Sequence, residues 1–288
     1  MERFNKYSIV YINLDRAPQR RKFMEKELER VGIEGAFRFS AIDANKEGAL
    51  NQAGFSSGAG DRWTLPKSAI ACFESHRAIW KLAVDQKLEA IVIFEDDVLL
   101  SDEIHDIISN LMASSKKFDV VKLDIGGSYA KCGITTKISG LNVRKLFARL
   151  SSAGAYILSY SGAKKLLARS KTYGDTVDDF IFSPSPDWNM YQLFPAAVSQ
   201  VVNLDNSKGS LNYLMEHGVL EGEREKSPDF EGKKMSRGPF YFRIKKEFKR
   251  LIKKISWIFY GKNKLLGQGG YYGLIPLRED FVVKFSKW

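Results

Sequence analysis

Short unbroken apolar runs alternate along the chain with longer stretches in which apolar residues recur at helical spacing, the order expected of an α/β protein. The clearest run covers residues 90–94 and leads directly into Glu95, Asp96 and Asp97. A continuous run of this length reads as a strand buried on both faces, the habit of a mostly parallel sheet flanked by helices. Residues 7–14, 37–42, 118–123, 143–150, 153–159 and 198–202 read as further strands. Helical spacing predicts a helix after residue 15, with Asp15 as cap, Pro18 in the first turn and Phe23, Leu28 and Val31 on its apolar side. A longer helix is predicted over residues 65–88, where Ile70, Phe73, Ile79, Trp80, Leu82, Ala83 and Leu88 form one broad apolar face. A short third helix is predicted over 161–169. Residues 44–62, with their glycines and serines, fit neither pattern and read as a flexible flap.

Past residue 206 the pattern changes. Residues 207–239 are poorly hydrophobic and charged, with five glycines, and read as a linker. They divide a body, residues 1–206, from a C-terminal region, residues 240–288. In that region Ile244, Phe248, Leu251, Ile252, Ile255, Ile258 and Phe259 fall on one helical stripe. Lys245, Lys246, Lys249, Arg250, Lys253 and Lys254 take the other side, and Trp257 stands near the end. A cationic amphipathic helix with aromatics suits an anionic membrane surface, with Lys245, Lys249, Lys253 and Trp257 as its contacts. The alternative is a helix that packs its stripe on the body and leaves its lysines in water.

Charge sharpens this picture. The net charge of +11 points at first to nucleic acid. Residues 233–264, however, hold 12 Lys and Arg against the single acid Glu247, and the remainder balances at 33 basic and 33 acidic residues. The body therefore has no basic face, and no nucleic-acid partner is expected. Two cysteines, Cys72 and Cys132, exclude a disulfide framework and a Cys-rich zinc site. The N-terminus lacks the apolar core of a signal peptide, and no apolar run reaches the roughly 18 to 20 residues that span a bilayer. A cytoplasmic protein, peripheral on the cytosolic side of a membrane, is expected.

The candidate chemistry gathers at strand ends, because ligands of open α/β sheets bind beyond the carboxyl ends of their strands. Three adjacent acids there repel one another unless a cation joins them, and a hard divalent metal, Mn2+ or Mg2+, meets that need. The alternative is a solvated strand exit. If the strand continues, Glu95 and Asp97 share a face and Asp96 points away. Arg16 and Arg20 either meet a diphosphate or are solvated arginines at a helix start. Asp124, at another strand end, is a secondary candidate. Cys72 reads as a small core residue, and His76, inside the long helix, reads first as a structural histidine.

Three motifs in order carry a resemblance: YINLDRAPQRR at 11–21, then C-x-x-S-H-x-x-x-W (Cys72, Ser75, His76, Trp80), then the apolar strand ending in EDD. Over residues 6–203 the chain resembles glycosyltransferase family 25, which includes lipooligosaccharide galactosyltransferases of Gram-negative bacteria and is similar to the collagen galactosyltransferases. The resemblance implies a GT-A-like fold, a UDP-sugar donor (typically UDP-galactose) and a divalent metal, Mn2+ or Mg2+. It implies that Asp97, with Glu95, holds the metal on the donor's phosphates. Donor contacts are implied at Asn13, Leu14, Arg16, Arg20, Ser75, His76, Glu95, Asp96, Asp124 and Gln200. An inverting transfer needs a carboxylate base for the acceptor hydroxyl; Asp178 and Asp179 are the candidates, with Asp187 behind them. The alternative makes Asp178 a helix cap and Asp179 a first-turn acid. A lipid-linked saccharide acceptor at the cytosolic face of the inner membrane would explain the C-terminal helix. Two rival readings are a metal-dependent phosphotransferase and a membrane-associated nucleotide-sugar-binding protein without transferase activity.

Overall fold

The structure, a computed structural model, describes residues 5–114, 117–201, 236–257 and 261–281. The expected linker at 207–239 lies outside the described residues as far as 235, as do Ile258 and Phe259 of the predicted stripe.

In chain order the body begins with β1 (Asn5–Asn13), α1 (Pro18–Arg30) and β2 (Phe37–Ser40). There follow α2 (Lys67–Asp85), β3 (Leu88–Glu95), β4 (Val98–Leu100), α3 (Ile104–Met112) and β5 (Val120–Lys122). It closes with β6 (Ala130–Ile138), β7 (Leu141–Leu146), β8 (Ala155–Ser159), α4 (Tyr160–Arg169), α5 (Val177–Ile181), β9 (Met190–Leu193) and β10 (Val198–Gln200). A nine-stranded sheet runs in the order β11-β6-β7-β9-β5-β8-β3-β1-β2, where β11 is Tyr271–Gly273 of the C-terminal region. The pairs β1–β2, β1–β3 and β5–β9 are parallel. Strand β8 runs antiparallel between β3 and β5, and β7, β6 and β11 continue antiparallel at the far edge. The α/β class is as expected, with its parallel pairings confined to those two groups.

The unbroken apolar run of β3 has a direct cause. Ile91 and Ile93 join a core with Phe73, Ile79, Trp80 and Ala83 of α2. Ala90, Val92 and Phe94 face the other way, into a second core with Met24 and Leu28 of α1 and with Ile104, Ile107, Ile108 and Leu111 of α3. Alternate side chains of a strand point to opposite faces, so helices on both sides require apolar residues at every position. Full burial of such a side chain stabilises by roughly 1.5–3 kcal/mol.

Two caps differ from expectation. Ala17 occupies the N-cap of α1 without a side-chain hydrogen bond, and Pro18 sits in the first turn. Asp15 instead pairs with Arg38 and accepts from Ser40 Oγ at 2.7 Å. Thr176, not Asp178, is the N-cap of α5. Residues 44–62 contain no helix or strand, as the sequence indicates.

The C-terminal region opens with α6 (Phe240–Ser256), followed by α7 (Lys262–Gly267) and β11. Phe242 meets Trp63 edge-on at 5.3 Å between ring centroids. At the other end Trp257 packs on Tyr272 at 5.2 Å and carries the Lys131 ammonium 3.6 Å from its ring centre. Between these anchorages Ile244, Phe248, Leu251, Ile252 and Ile255 are exposed. Beyond α7 the chain returns to the body: β11 pairs with β6, Leu277 bridges Ala196, and Phe281 packs beside Phe23, Leu99 and Val201.

Candidate active site

The carboxyl ends of β1 and β3 lie side by side in the sheet, and α2 runs across the same side. A cleft of about 620 Å3 opens there, lined by Asn13, Leu14, Arg16, Arg20, Ser75, His76, Glu95, Asp96 and Asp97 among others. Eight of the expected donor contacts therefore share one cavity with Asp97. Asp124 and Gln200 do not line it.

Strand β3 ends at Glu95 and a turn carries Asp96 and Asp97, so the acids divide by their partners and not by strand alternation. Asp96 accepts from Asn13 Nδ2 at 2.7 Å, and Arg38 Nε holds the amide oxygen of Asn13 at 3.0 Å. Glu95 Oε2 and Asp97 Oδ1 turn the other way and both accept from Gln200 Nε2, at 2.8 and 3.1 Å. Arg20 spans the two sides, with one nitrogen 2.7 Å from Asp96 and 3.0 Å from Asp97. Burial pushes the Asp96 carboxyl up to about 6; Arg20 pulls against this and Asp97 adds to it. Two hard carboxylate oxygens meeting at one polar point form the kind of donor pair that suits Mn2+ or Mg2+. On the lip of the cleft, Arg16 is paired with Asp43 at 3.0 Å.

Gln200 reaches this position through pairing. Strand β10 runs antiparallel to β4, which sets Gln200 opposite Val98, and Val201 N donates to Asp97 O at 2.9 Å. Behind Gln200 lies a buried polar chain. Ser152 Oγ stands between two acceptors, Asp124 Oδ2 and, at 3.0 Å, Gln200 Oε1, and its one proton serves either. Asp124 and Lys122 are fully buried and joined at 2.6 Å. Burial works against both charges, lowering Lys122 and raising Asp124 to about 6 while the lysine opposes that rise. Asp124 is thus an internal support of the acids, not a cleft residue as expected. Gly154 makes room for the arrangement: a Cβ there would lie 2.9 Å from Gln200 Cγ and 3.2 Å from Asp124 Oδ2.

The three candidate bases separate. Asp178 Oδ2 accepts from Ser152 N at 3.1 Å, which joins it to the same polar chain as Glu95 and Asp97. Asp179 is paired with Arg62 of the flap at 3.3 Å. Asp187 stands just before β9, whose amino end pairs beside that of β5. Its carbonyl accepts from Lys165, which is paired with Asp119. It belongs to the amino ends of the central strands, the opposite end from the acids, which corrects its place among the candidates.

Within α2, Ser75 Oγ donates to Ala71 O at 2.7 Å and accepts from Ile42 N at 2.9 Å, tying the helix to the loop after β2. His76 is fully buried, with Nδ1 2.8 Å from the Tyr156 hydroxyl, which also accepts from Trp80 Nε1 at 2.9 Å. Cys72 lines the cleft and also packs against the core around α2. Burial and the surrounding carboxylates push its thiol well above the usual range. Trp257, expected at a membrane, is instead taken up by Tyr272 and Lys131. Lys245, Lys249 and Lys253 are exposed. Reading the sequence missed Ser152, Lys122, Tyr156 and Arg62. A positive φ of 72° at Ser152, uncommon outside glycine, is the feature that aims its hydroxyl and amide at two different acids.

Comparison with known proteins identifies the family. The family model for glycosyltransferase family 25 (LPS biosynthesis protein) matches residues 7–181. The lipooligosaccharide biosynthesis protein lex-1 of Haemophilus influenzae is 27% identical over 208 residues, 67% of each chain. Another from Haemophilus influenzae, lic2B, is 28% identical over 75% of this chain and 82% of its own. The human inactive glycosyltransferase 25 family member 3 is 29% identical over 56% of this chain, which spans only 28% of that protein. A solved galactosyltransferase, LgtC, with donor and acceptor sugar analogues superimposes over 75% of this chain and 99% of its own, at 12% identity and a TM-score of 0.39. The chain belongs to glycosyltransferase family 25, and its α/β sheet carries the acid cluster at the carboxyl end of β3.

Proposed function

We propose that this protein is a metal-dependent, inverting glycosyltransferase that transfers a sugar, galactose from UDP-galactose foremost, to a lipid-linked saccharide of the lipooligosaccharide type. The observation that carries the reading is that Glu95 and Asp97, both bonded to the Gln200 amide, line a cleft that also holds Arg16, Arg20 and Asn13. Glu95 and Asp97 would hold Mn2+ or Mg2+, which supplies Lewis-acid neutralisation of the departing diphosphate. Arg20 fixes the carboxylates and adds positive charge to the same region. Asp178 takes the proton of the acceptor hydroxyl as that oxygen bonds to the anomeric carbon and the bond from carbon to phosphate oxygen breaks on the opposite face. Its link through Ser152 and Gln200 to the acids favours it over Asp179, which serves the flap.

The acceptor class rests on two supports: the names of the Haemophilus relatives and the exposed apolar stripe of α6 with its lysines. Among the described residues no helix is long and apolar enough to cross a membrane. A helix lying in an anionic leaflet would hold the cleft at the cytosolic face, where a lipid-linked acceptor is within reach.

A second reading, a nucleotide-sugar-binding protein without turnover, is favoured by one contact. Arg20 already neutralises part of the acid cluster that a metal would occupy, and some animal relatives are named inactive.

Slow hydrolysis of a panel of UDP-sugars, with and without Mn2+, separates the two readings. Release of UDP from one sugar, dependent on metal and reduced about 100-fold or more in Asp97→Asn, supports the transferase. Binding of UDP with Mn2+ but no release from any sugar favours the second reading.

A further inference from the structure

Cys72 and His76 stand one turn apart on α2, and Glu95 ends β3 beside them. One donor atom of each lies within 4.8 Å of the other two, and among the described residues no other group of His, Cys, Asp and Glu gathers three donors so closely. Nε2 of the fully buried His76 has no hydrogen-bond partner, and Glu95 Oε1 stands 3.5 Å from it. A buried ring nitrogen left unbonded is costly, so its position calls for a function.

The opposite ring nitrogen is held in place. Tyr156 Oη lies 2.8 Å from Nδ1 and is itself fixed by Trp80 Nε1 at 2.9 Å. An indole only donates, which leaves the phenol oxygen a second lone pair for an Nδ1–H. In that tautomer Nε2 offers a free lone pair toward Cys72 and Glu95. An outer hydrogen bond on the second nitrogen is what orients metal-binding histidines.

We infer that Cys72, His76 and Glu95 form a three-ligand site for a borderline-soft divalent ion of the zinc type, with its fourth position open to the cleft. One thiolate, one imidazole and one carboxylate suit zinc, whereas Mn2+ and Mg2+ favour oxygen donors alone. Bonds of about 2.0–2.3 Å set the ligands of tetrahedral zinc roughly 3.3–3.8 Å apart. The His76–Glu95 distance already matches, and a side-chain rotation at Cys72 or Glu95 supplies the remainder. Binding releases the thiol proton to solvent. The ion would also claim Glu95, one of the two acids that converge on Gln200, so zinc opposes a hard metal there. The three ligands stand on α2 and β3 whether or not the cleft takes a nucleotide sugar.

The test uses the full-length protein, reduced and stripped of metal, titrated with Co2+ as a spectroscopic stand-in for Zn2+. The expected result is one equivalent bound with a thiolate-to-cobalt charge-transfer band, displaced by Zn2+. Cys72→Ala and Cys72→Ser should each abolish the band and weaken Zn2+ at least about tenfold, while Asp97→Asn keeps it. No Co2+ binding, binding without the band, or a band that survives in both Cys72 variants overturns the site. Calorimetric binding of UDP with Mn2+ on the same preparations reports separately on the donor reading.

Discussion

Gln200 is the residue on which the acid cluster turns. Its amide nitrogen holds Glu95 and Asp97 together, and its amide oxygen meets the Ser152 hydroxyl. Gly154→Ala tests whether that placement matters, because the new methyl would press on Gln200 Cγ. Overpacking of this kind should lower stability by about 1–3 kcal/mol in urea denaturation, and affinity for UDP with Mn2+ should fall with it. Tyr156→Phe removes the hydroxyl between Trp80 and His76 and leaves a buried indole N–H without an acceptor. A loss of about 1–3 kcal/mol is expected, read from the same denaturation midpoints. At this scale the sequence was partly legible. The gathering of three acids at the end of β3 follows from the sequence, although Asp96 and Asp97 lie in a turn past the strand and outside its alternation. The role of Ser152 does not, since it depends on a left-handed backbone that no residue pattern marks. Asp124 was misplaced for a related reason: a strand-end acid looks the same in sequence whether it faces a cleft or a buried lysine two residues back.

Among elements, α2 and β3 were the easiest to read, because burial on both sheet faces leaves a run without polar breaks. The three-residue β4, and β6 with polar, exposed residues on an outer part of the sheet, leave no such trace. Asp187 was drawn into the site by its nearness in sequence to Asp178, yet Asp178 bonds Ser152 beside the acid cluster while Asp187 stands at the amino end of β9. This separation makes Asp178 the element-level test of the proposed chemistry. Asp178→Asn should cut turnover of the preferred UDP-sugar by about 100- to 10,000-fold while leaving UDP affinity nearly unchanged; equal turnover would remove it as the base. Helix α6 carries its own prediction. Each lysine near an anionic leaflet contributes about 1 kcal/mol, so replacing Lys245, Lys249 and Lys253 together by Gln should weaken binding to phosphatidylglycerol vesicles roughly 100-fold. Sedimentation with vesicles measures this, and neutral vesicles should show little binding to either protein. Among the described residues Ile244, Phe248, Leu251, Ile252 and Ile255 are exposed, which leaves this part of the stripe open to such a surface.

For the molecule as a whole, charge placement and the cleft describe one arrangement. The excess of positive charge lies in the C-terminal region, and the acids lie at the mouth of the sheet. The sequence disclosed this polarity through simple counting. It did not disclose that β11 closes the sheet edge or that Phe281 packs beside α1, because short strands with glycine have no distinctive period. The proposed function stands on a cleft that would hold a nucleotide diphosphate through a metal on Glu95 and Asp97. Calorimetric titration of UDP into the wild-type protein and Asp97→Asn, each with and without Mn2+, tests it most directly. The account predicts binding by the wild type that strengthens at least about tenfold with Mn2+ and a variant in which that gain disappears. Equal gains in both proteins, or no binding of UDP by either, would contradict it.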